Sequence, residues 1–454
     1  MKKLKIFLTM TAVVFSVMLC CSVNVFALTE GDWEFQLLDN EVNITGYNGS
    51  DKDVVVPETI YGKTVTAAKF GNHDLENAVS IKFPGSIKVI NDVGDAPSNL
   101  KTVILSEGTE KIEQDAFAYC GNLENINFPS TLKVVGWNAF GGCKKLKDID
   151  FPEGLTEINY EAFCNTGLTN VDLSKTSAKI EVAAFKNCEN LKKVRLPENM
   201  TEIPMSLFYF CDSLSDIEIP ANVEVIGEGA FTACENLESI ILPTSLKEIS
   251  AFAFSSCAKL KEVVIPYGTT NIDKGAFAEC PNLKAVYIPD TVTNIVNLVN
   301  IIDNSKNAII YCTADSYTAK FCKETATSYL TDNSVNSEIT VLYNGTRISF
   351  HEYGQNPDLL NSRTLVPLRS IFETMGADVQ WDANTNTVTA KRGKSEIKIQ
   401  IGAGEMIKNG QNIAVDVPAQ LVNNRTMVPV RVIAEAFGAD VQWNNGGKTV
   451  LINE

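Results

Sequence analysis

The sequence predicts a solenoid of turns about 23 residues long, mostly β with short turns, followed by a small α+β domain with two internal repeats. Three observations predict this. Phenylalanine recurs at 117, 140, 163, 185, 208, 231, 254 and 277, in steps of 23 broken once by 22. Leucine keeps the same interval, from Leu100 through Leu123, Leu146 and Leu168 to Leu283. Beyond residue 338 this beat stops, and a different segment occurs twice at an offset of 62, Arg363 matching Arg425.

Composition removes several functions. The 454 residues carry 39 Lys and Arg against 55 Asp and Glu, a net charge of −16. A nucleic-acid backbone needs a basic face, so no nucleic-acid partner is expected. Two histidines, His73 and His351, leave no material for a multi-histidine metal site and little for histidine acid–base chemistry.

The elements follow in chain order. Residues 1–27 read as a secretory signal: Lys2, Lys3 and Lys5, then an apolar run from Ile6 to Cys21, then Val25-Phe26-Ala27 before the cut. No later segment is long and apolar enough to span a bilayer, so no membrane span is expected after signal removal. Residues 28–70 read as an N-terminal cap, with a strand pair at 33–37 and 42–44. The solenoid, with its C-terminal cap, occupies 71–330. Each turn has apolar residues three and five places after its Leu, as at Ile126 and Phe128. That alternation is a strand with one buried face. Pro129, Pro152, Pro197, Pro220, Pro243, Pro266 and Pro289 close these strands, because proline lacks the N–H a ladder needs. A second short apolar stretch, such as Val134-Val135, precedes an Ala-Phe-x-x-Cys turn. One such turn cannot offset its own backbone entropy, so each requires stacked neighbours and the array requires caps. Ile309, Ile310 and Tyr311 suggest a strand in the C-terminal cap, and Ser316 opens a helical pattern.

Seven cysteines, at 120, 143, 188, 211, 234, 257 and 280, follow the repeat Phe by three places. Stacked rungs lie about 4.8 Å apart, within disulfide reach, but their Cβ vectors run parallel where a disulfide needs them converging. The ladder therefore reads as small buried hydrophobes with weak S–H donors. No Cys-x-x-Cys supports a metal thiolate site after the signal. Pairing of Cys312 with Cys322 is left open.

The pattern Leu-x-x-Ile-x-Ile-Pro-x-x-Val-x-x-Ile-x-x-x-Ala-Phe-x-x-Cys resembles the BspA-like leucine-rich repeat family of bacterial surface proteins. Ile44-Thr45-Gly46-Tyr47 and Val54-Val55-Val56-Pro57 resemble that family's N-terminal segment. The resemblance implies a leucine-rich repeat solenoid used as a binding surface, often for host or matrix proteins, with no enzyme activity.

Polar residues 331–338 read as a linker. In 339–454, the pairs Arg363 to Arg369 with Arg425 to Arg431, and Gly376 to Trp381 with Gly438 to Trp443, predict a repeated strand, helix and hairpin. These residues resemble the stalk domain also called copper amine oxidase N-terminal-like. The resemblance implies an accessory, envelope-proximal role in secreted proteins of Gram-positive bacteria. The oxidase chemistry belongs to a separate domain with three histidine ligands; this segment holds only His351, so no copper or other cofactor is expected. Asp382-x-Asn384-x-Asn386 starts like a calcium loop, but Gly393 stands where the closing Glu belongs, and a hairpin turn fits better. Arg369 and Arg431 either bind an anionic polymer or brace their own fold, the second being favoured.

The outward strand positions are acidic at Asp148, Asp150 and Asp172, basic at Lys192, Lys193 and Arg195, and apolar at Ile241, Val264 and Tyr287. Adjacent apolar positions on an outward face mark a protein contact. The expected binding site is therefore centred on Ile241, Val264 and Tyr287 and flanked by Lys193 and Arg195. The competing reading is that another part of the chain covers them. Together these features predict a secreted or cell-surface, non-catalytic, adhesin-like bacterial protein. Its partner is an extracellular protein or glycan, such as a host matrix protein or cell-wall polymer. A structural envelope spacer and a wall-active glycan hydrolase are the alternatives. The paired carboxylates Asp148 with Asp150 and Asp216 with Glu218 lie on flat strands and frame no cleft, so no catalytic residue is predicted.

Overall fold

A computed structural model of the chain describes residues 28–71, 73–94, 96–296, 301–350 and 355–454. Residues 1–27, where a secretory signal is expected, and His351 lie outside the described residues. The repeat folds as expected into a β-solenoid with two parallel ladders. One ladder joins Asp53–Val55, Ser80–Phe83, Thr102–Leu105 and Asn125–Ile126, and resumes as Asn170–Asp172, Lys193–Arg195 and Asp216–Glu218. It ends on Glu262–Val264, Ala285–Tyr287, Ile309–Cys312 and Tyr329–Thr331. The second ladder uses two-residue strands such as Lys111–Ile112, Val134–Val135 and Glu157–Ile158. In register, Val194 opposes Val171 on one side and Ile217 on the other, so the same face of each strand turns to the core along the array.

The repeat Phe rings form the spine of the core. From Phe117 to Phe277 successive rings stack at centroid distances between 5.1 and 6.1 Å. Phe163 is the densest point: Phe140 lies at 5.3 Å and 1°, Phe185 at 5.5 Å and 4°, and Phe151 meets it edge-on at 5.6 Å.

The cysteine ladder runs beside the rings. The thiols of Cys143, Cys211, Cys234, Cys257 and Cys280 donate to the carbonyls of Phe117, Phe185, Phe208, Phe231 and Phe254, each on the preceding turn, at 3.1 to 3.3 Å. In the shortened turn Thr166 fills the slot that Cys takes elsewhere, and its hydroxyl lies 3.1 Å from the Cys188 sulfur. Ser305 fills the last slot and donates to the Phe277 carbonyl at 2.9 Å. The slot thus selects a small side chain with one donor, since the ring's carbonyl would otherwise be buried without a partner. Among the described residues the ten cysteines, Cys312 and Cys322 included, are free and buried. Burial pushes the thiols of Cys120 and Cys188 up to about 12. Iodoacetamide at pH 8 is therefore expected to leave the ladder thiols unlabelled in folded protein and to label all of them in non-reducing denaturant, as read by intact mass. Several sites still blocked after denaturation would contradict this.

The caps cover both open ends. Trp33–Leu37 pairs antiparallel with Leu28–Glu30 and Glu41–Tyr47. At the other end the helix Tyr317–Thr325 starts at Ser316, whose hydroxyl accepts from the Ala319 N–H at 3.1 Å. Residues 331–338 are not a free linker. Asp332, Ser334 and Val335 are buried, and the Asn336 amide group donates to Asp290 at 2.8 Å. Their polarity serves buried hydrogen bonds rather than solvent.

In the C-terminal domain the duplicated strands Arg363–Pro367 and Arg425–Pro429 pair antiparallel with each other. The helices Leu368–Thr374 and Val430–Ala436 follow them, and Phe372 meets Phe437 edge-on at 5.2 Å. The two repeats therefore share one core. A five-stranded antiparallel sheet runs from Asp378–Asp382 to Gln411–Ala414, and Thr340–Tyr343 pairs parallel with Thr449–Asn453.

Candidate functional site

The strand face has an open part and a covered part. In the open part, Asp172, Arg195 and Glu218 align across three strands, beside Asn170, Lys193 and Asp216. Arg195 and Glu218 stand at its border, where they line a cleft of about 340 Å³ with Asn445 and Gly446 of the C-terminal domain. Arg195 donates twice to Asp216, at 2.9 and 3.2 Å, and the Lys193 ammonium lies 3.4 Å from the same carboxylate. Burial would raise the Asp216 carboxyl, but these two cations outweigh it and hold it low. The Asp172 carboxyl is also held low, by hydrogen bonds from Ser174. The expected basic patch is thus paired internally, with each exposed pair worth about 0–1 kcal/mol. Its ordered side chains form a mixed-charge surface.

The apolar part is covered. Ile241, Val264 and Tyr287 point away from the core, as their register requires, yet none forms an open docking surface. Tyr287 is only 8% exposed. Tyr311 stacks on one side of it at 4.8 Å, and the Arg347 guanidinium of the C-terminal domain lies 4.6 Å from the ring centroid. Ile241 and Val264 line a cleft of about 230 Å³ whose other wall is Thr340, Leu342 and Gly447 of the C-terminal domain. The chain's own second domain occupies the expected site, which corrects the open reading. The physical reason is that these three residues supply outward apolar positions on adjacent turns, and the second domain packs over them.

Two contacts fix the junction. Arg347 is 7% exposed; its guanidinium donates to the Asp332 carboxylate at 3.2 Å and to the Ser334 carbonyl at 2.6 Å, and its backbone N–H donates to the Glu262 carboxylate at 2.9 Å. Burial would raise Asp332, but the Ser334 hydrogen bonds and the Arg347 charge hold its carboxyl below the ordinary range. Burial lowers the Arg347 guanidinium and raises Glu262. The second contact is the turn at Gly446-Gly447. Its Gly446 carbonyl accepts from the Thr244 N–H at 2.9 Å. A Cβ on Gly447 would overlap the Ile241 methyl group. The matching turn in the first repeat carries Asn384-Thr385 and lacks this approach. Gly447→Leu is therefore expected to undock the domain without unfolding either part, seen as two separate calorimetric transitions. A single unmoved transition would contradict the contact.

Arg347, Asp332 and Glu262 were not singled out by their pattern. The double glycine was the available signal, because it breaks an otherwise close internal repeat. Arg369 and Arg431 remain half exposed, each facing a carboxylate on its own helix, Glu373 at 3.7 Å and Glu435 at 3.8 Å.

Residues 63–192 and 178–307 match the BspA type leucine rich repeat region, with six copies, and together span more than half the chain. The chain belongs to this leucine-rich repeat family. Residues 342–452 match the copper amine oxidase N-terminal domain. Among the described residues no three His, Cys, Asp or Glu side chains come together as metal ligands, so those residues do not fit a copper site. Also among them, no helix is long and apolar enough to cross a membrane. A leucine-rich repeat protein from Bacteroides ovatus is similar in structure, with a TM-score of 0.52 and 20% identity over 70% of this chain and 82% of that one. That likeness shows the fold. A leucine rich cell surface protein from Faecalibacterium prausnitzii has 23% identity and a TM-score of 0.39, covering 67% of this chain and 99% of that one. A curated relative from Brevibacillus choshinensis, named protease inhibitor, is 27% identical over 117 residues, 26% of this chain. The chain spans about a third of that relative's length, 35%.

Proposed function

We propose that the chain is a secreted or surface-displayed, non-catalytic, adhesin-like binding protein. The open strand face recognises an extracellular protein or glycan, and the C-terminal domain is an envelope-proximal module fixed to the far end of the solenoid. The observation that carries this is the registered charged surface of Asn170–Asp172, Lys193–Arg195 and Asp216–Glu218, held by a parallel ladder, with Asn170, Asp172, Lys193 and Asp216 exposed and Arg195 and Glu218 bordering the second domain. Membership of a repeat family resembling bacterial surface proteins supports the same reading. A rigid face of this kind binds with little ordering cost.

The test uses the full mature chain against immobilised fibronectin, collagen and mucin. Lys193→Ala/Arg195→Ala should weaken binding to whichever of them binds by tenfold or more, with an unmoved melting curve. Unchanged affinity in that variant would remove the strand face from the interface.

A further inference from the structure

The C-terminal domain carries two grooves that are copies of each other. In the first, Arg369, Trp381, Leu421 and Arg425 line a space of about 410 Å³. In the second, Arg431, Trp443, Leu359 and Arg363 line about 630 Å³. Each groove takes its Trp and one Arg from one repeat, and its Leu and the other Arg from the opposite repeat. All ten positions lining the first have their counterpart, at the repeat offset, lining the second. Trp381 is 43% exposed and Trp443 38%, while Leu359 and Leu421 are also exposed. The shared core sits on the other side of these strands, around Phe372 and Phe437. Core packing therefore does not account for an indole and a leucine kept at the surface in both copies.

We propose that the twin grooves bind two units of an anionic sugar polymer. The indole face offers a flat apolar platform for the C–H face of a sugar ring, and the guanidinium pair offers forked donors to a carboxylate or phosphate on that ring. Charge complementarity favours an anion. Among the described residues the lining of the first groove has two arginines and no carboxylate, and the nearest carboxylate to Arg369 is Glu373, at 3.7 Å. In the second groove Arg363 pairs with Asp416 at 2.5 Å, which leaves Arg431 as the principal cation there. Arg369 and Arg431 face carboxylates on their own helices at 3.7 and 3.8 Å, and Arg431 also donates to the Val441 carbonyl at 3.4 Å; both guanidinium groups stay more than half exposed and keep donors facing the groove. Two equivalent grooves on one rigid domain match a ligand that presents the same unit repeatedly, and linkage makes the second contact intramolecular. The inference deepens the envelope-proximal reading of this domain and does not depend on the strand face.

The experiment titrates the full mature chain with sodium polygalacturonate, with poly(N-acetylglucosamine 1-phosphate) and with neutral chitohexaose, reading tryptophan fluorescence and calorimetric heat. At least one anionic polymer is expected to bind, more weakly as salt rises, with quenched indole emission. Binding of only one of them identifies carboxylate or phosphate as the recognised group. Trp381→Ala or Trp443→Ala alone should weaken polymer binding about tenfold or more through lost avidity, and the double variant should abolish it. Arg369→Gln/Arg431→Gln should do the same, and decides the matter if a Trp variant fails to fold. Lys193→Ala/Arg195→Ala should bind the polymer as the parent does. Four results would each overturn the proposal: no binding of either anionic polymer, equal affinity for chitohexaose, unchanged binding in the double Trp or double Arg variant, or loss of binding in the strand-face variant.

Discussion

Arg347→Ala is expected to destabilise the folded chain by about 3–5 kcal/mol, because it strands a buried carboxylate. Asp332 and Arg347 have side chains only 5% and 4% exposed, and the guanidinium also caps the Tyr287 ring. Without the cation, Asp332 keeps the Ser334 and Ser349 hydroxyls, which donate at 2.6 and 3.0 Å but carry no charge. Replacing both partners, as Arg347→Met with Asp332→Leu, should recover much of the loss, since the desolvation cost of the pair disappears with it. Denaturant unfolding followed by intrinsic fluorescence measures both variants. A loss below about 1 kcal/mol for Arg347→Ala would place the pair in solvent and the domains apart.

Phe163→Ala is expected to cost a similar amount, about 3–5 kcal/mol, from the cavity left in a core that cannot close over it. Its neighbours are themselves stacked on further rings, so collapse at one turn would break the spacing of the next. Phe163→Leu should cost distinctly less, because it keeps most of the volume. The same two substitutions at Phe210, 45% exposed and edge-on to Tyr209 at 4.7 Å, should cost no more than about 1.5 kcal/mol. Equal effects at the two sites would show that the ring column does not carry the fold.

The solenoid was legible because its period is a physical requirement: one turn is unstable alone, so the buried positions must recur. Phe, Leu and Cys therefore repeat, and the S–H donor role follows from a small slot beside a ring. The faces of the strands were legible for the same reason, and Ile241, Val264 and Tyr287 do point outward. What covers them was not. Contacts between distant segments leave no period, and Arg347 is a lone basic residue in a short strand. Polarity was also misleading at Asp332 and Ser334, where hydrogen bonding inside the junction looks, in sequence, like solvation in a linker. The twin grooves were half visible. Arg369 and Arg431 stood out through the internal repeat, but each groove is completed by Leu and Arg from the other repeat, and only the antiparallel pairing of Arg363–Pro367 with Arg425–Pro429 brings them together.

The central claim is that the second domain covers the apolar end of the strand face. Hydroxyl-radical footprinting of the intact chain tests it most directly, because Tyr119, 72% exposed, is an internal standard in the same molecule. Tyr287 should be labelled far more slowly than Tyr119, and should become reactive in Gly447→Leu. Labelling of Tyr287 in the parent chain at a rate close to that of Tyr119 would show that the face is open and the junction is not formed.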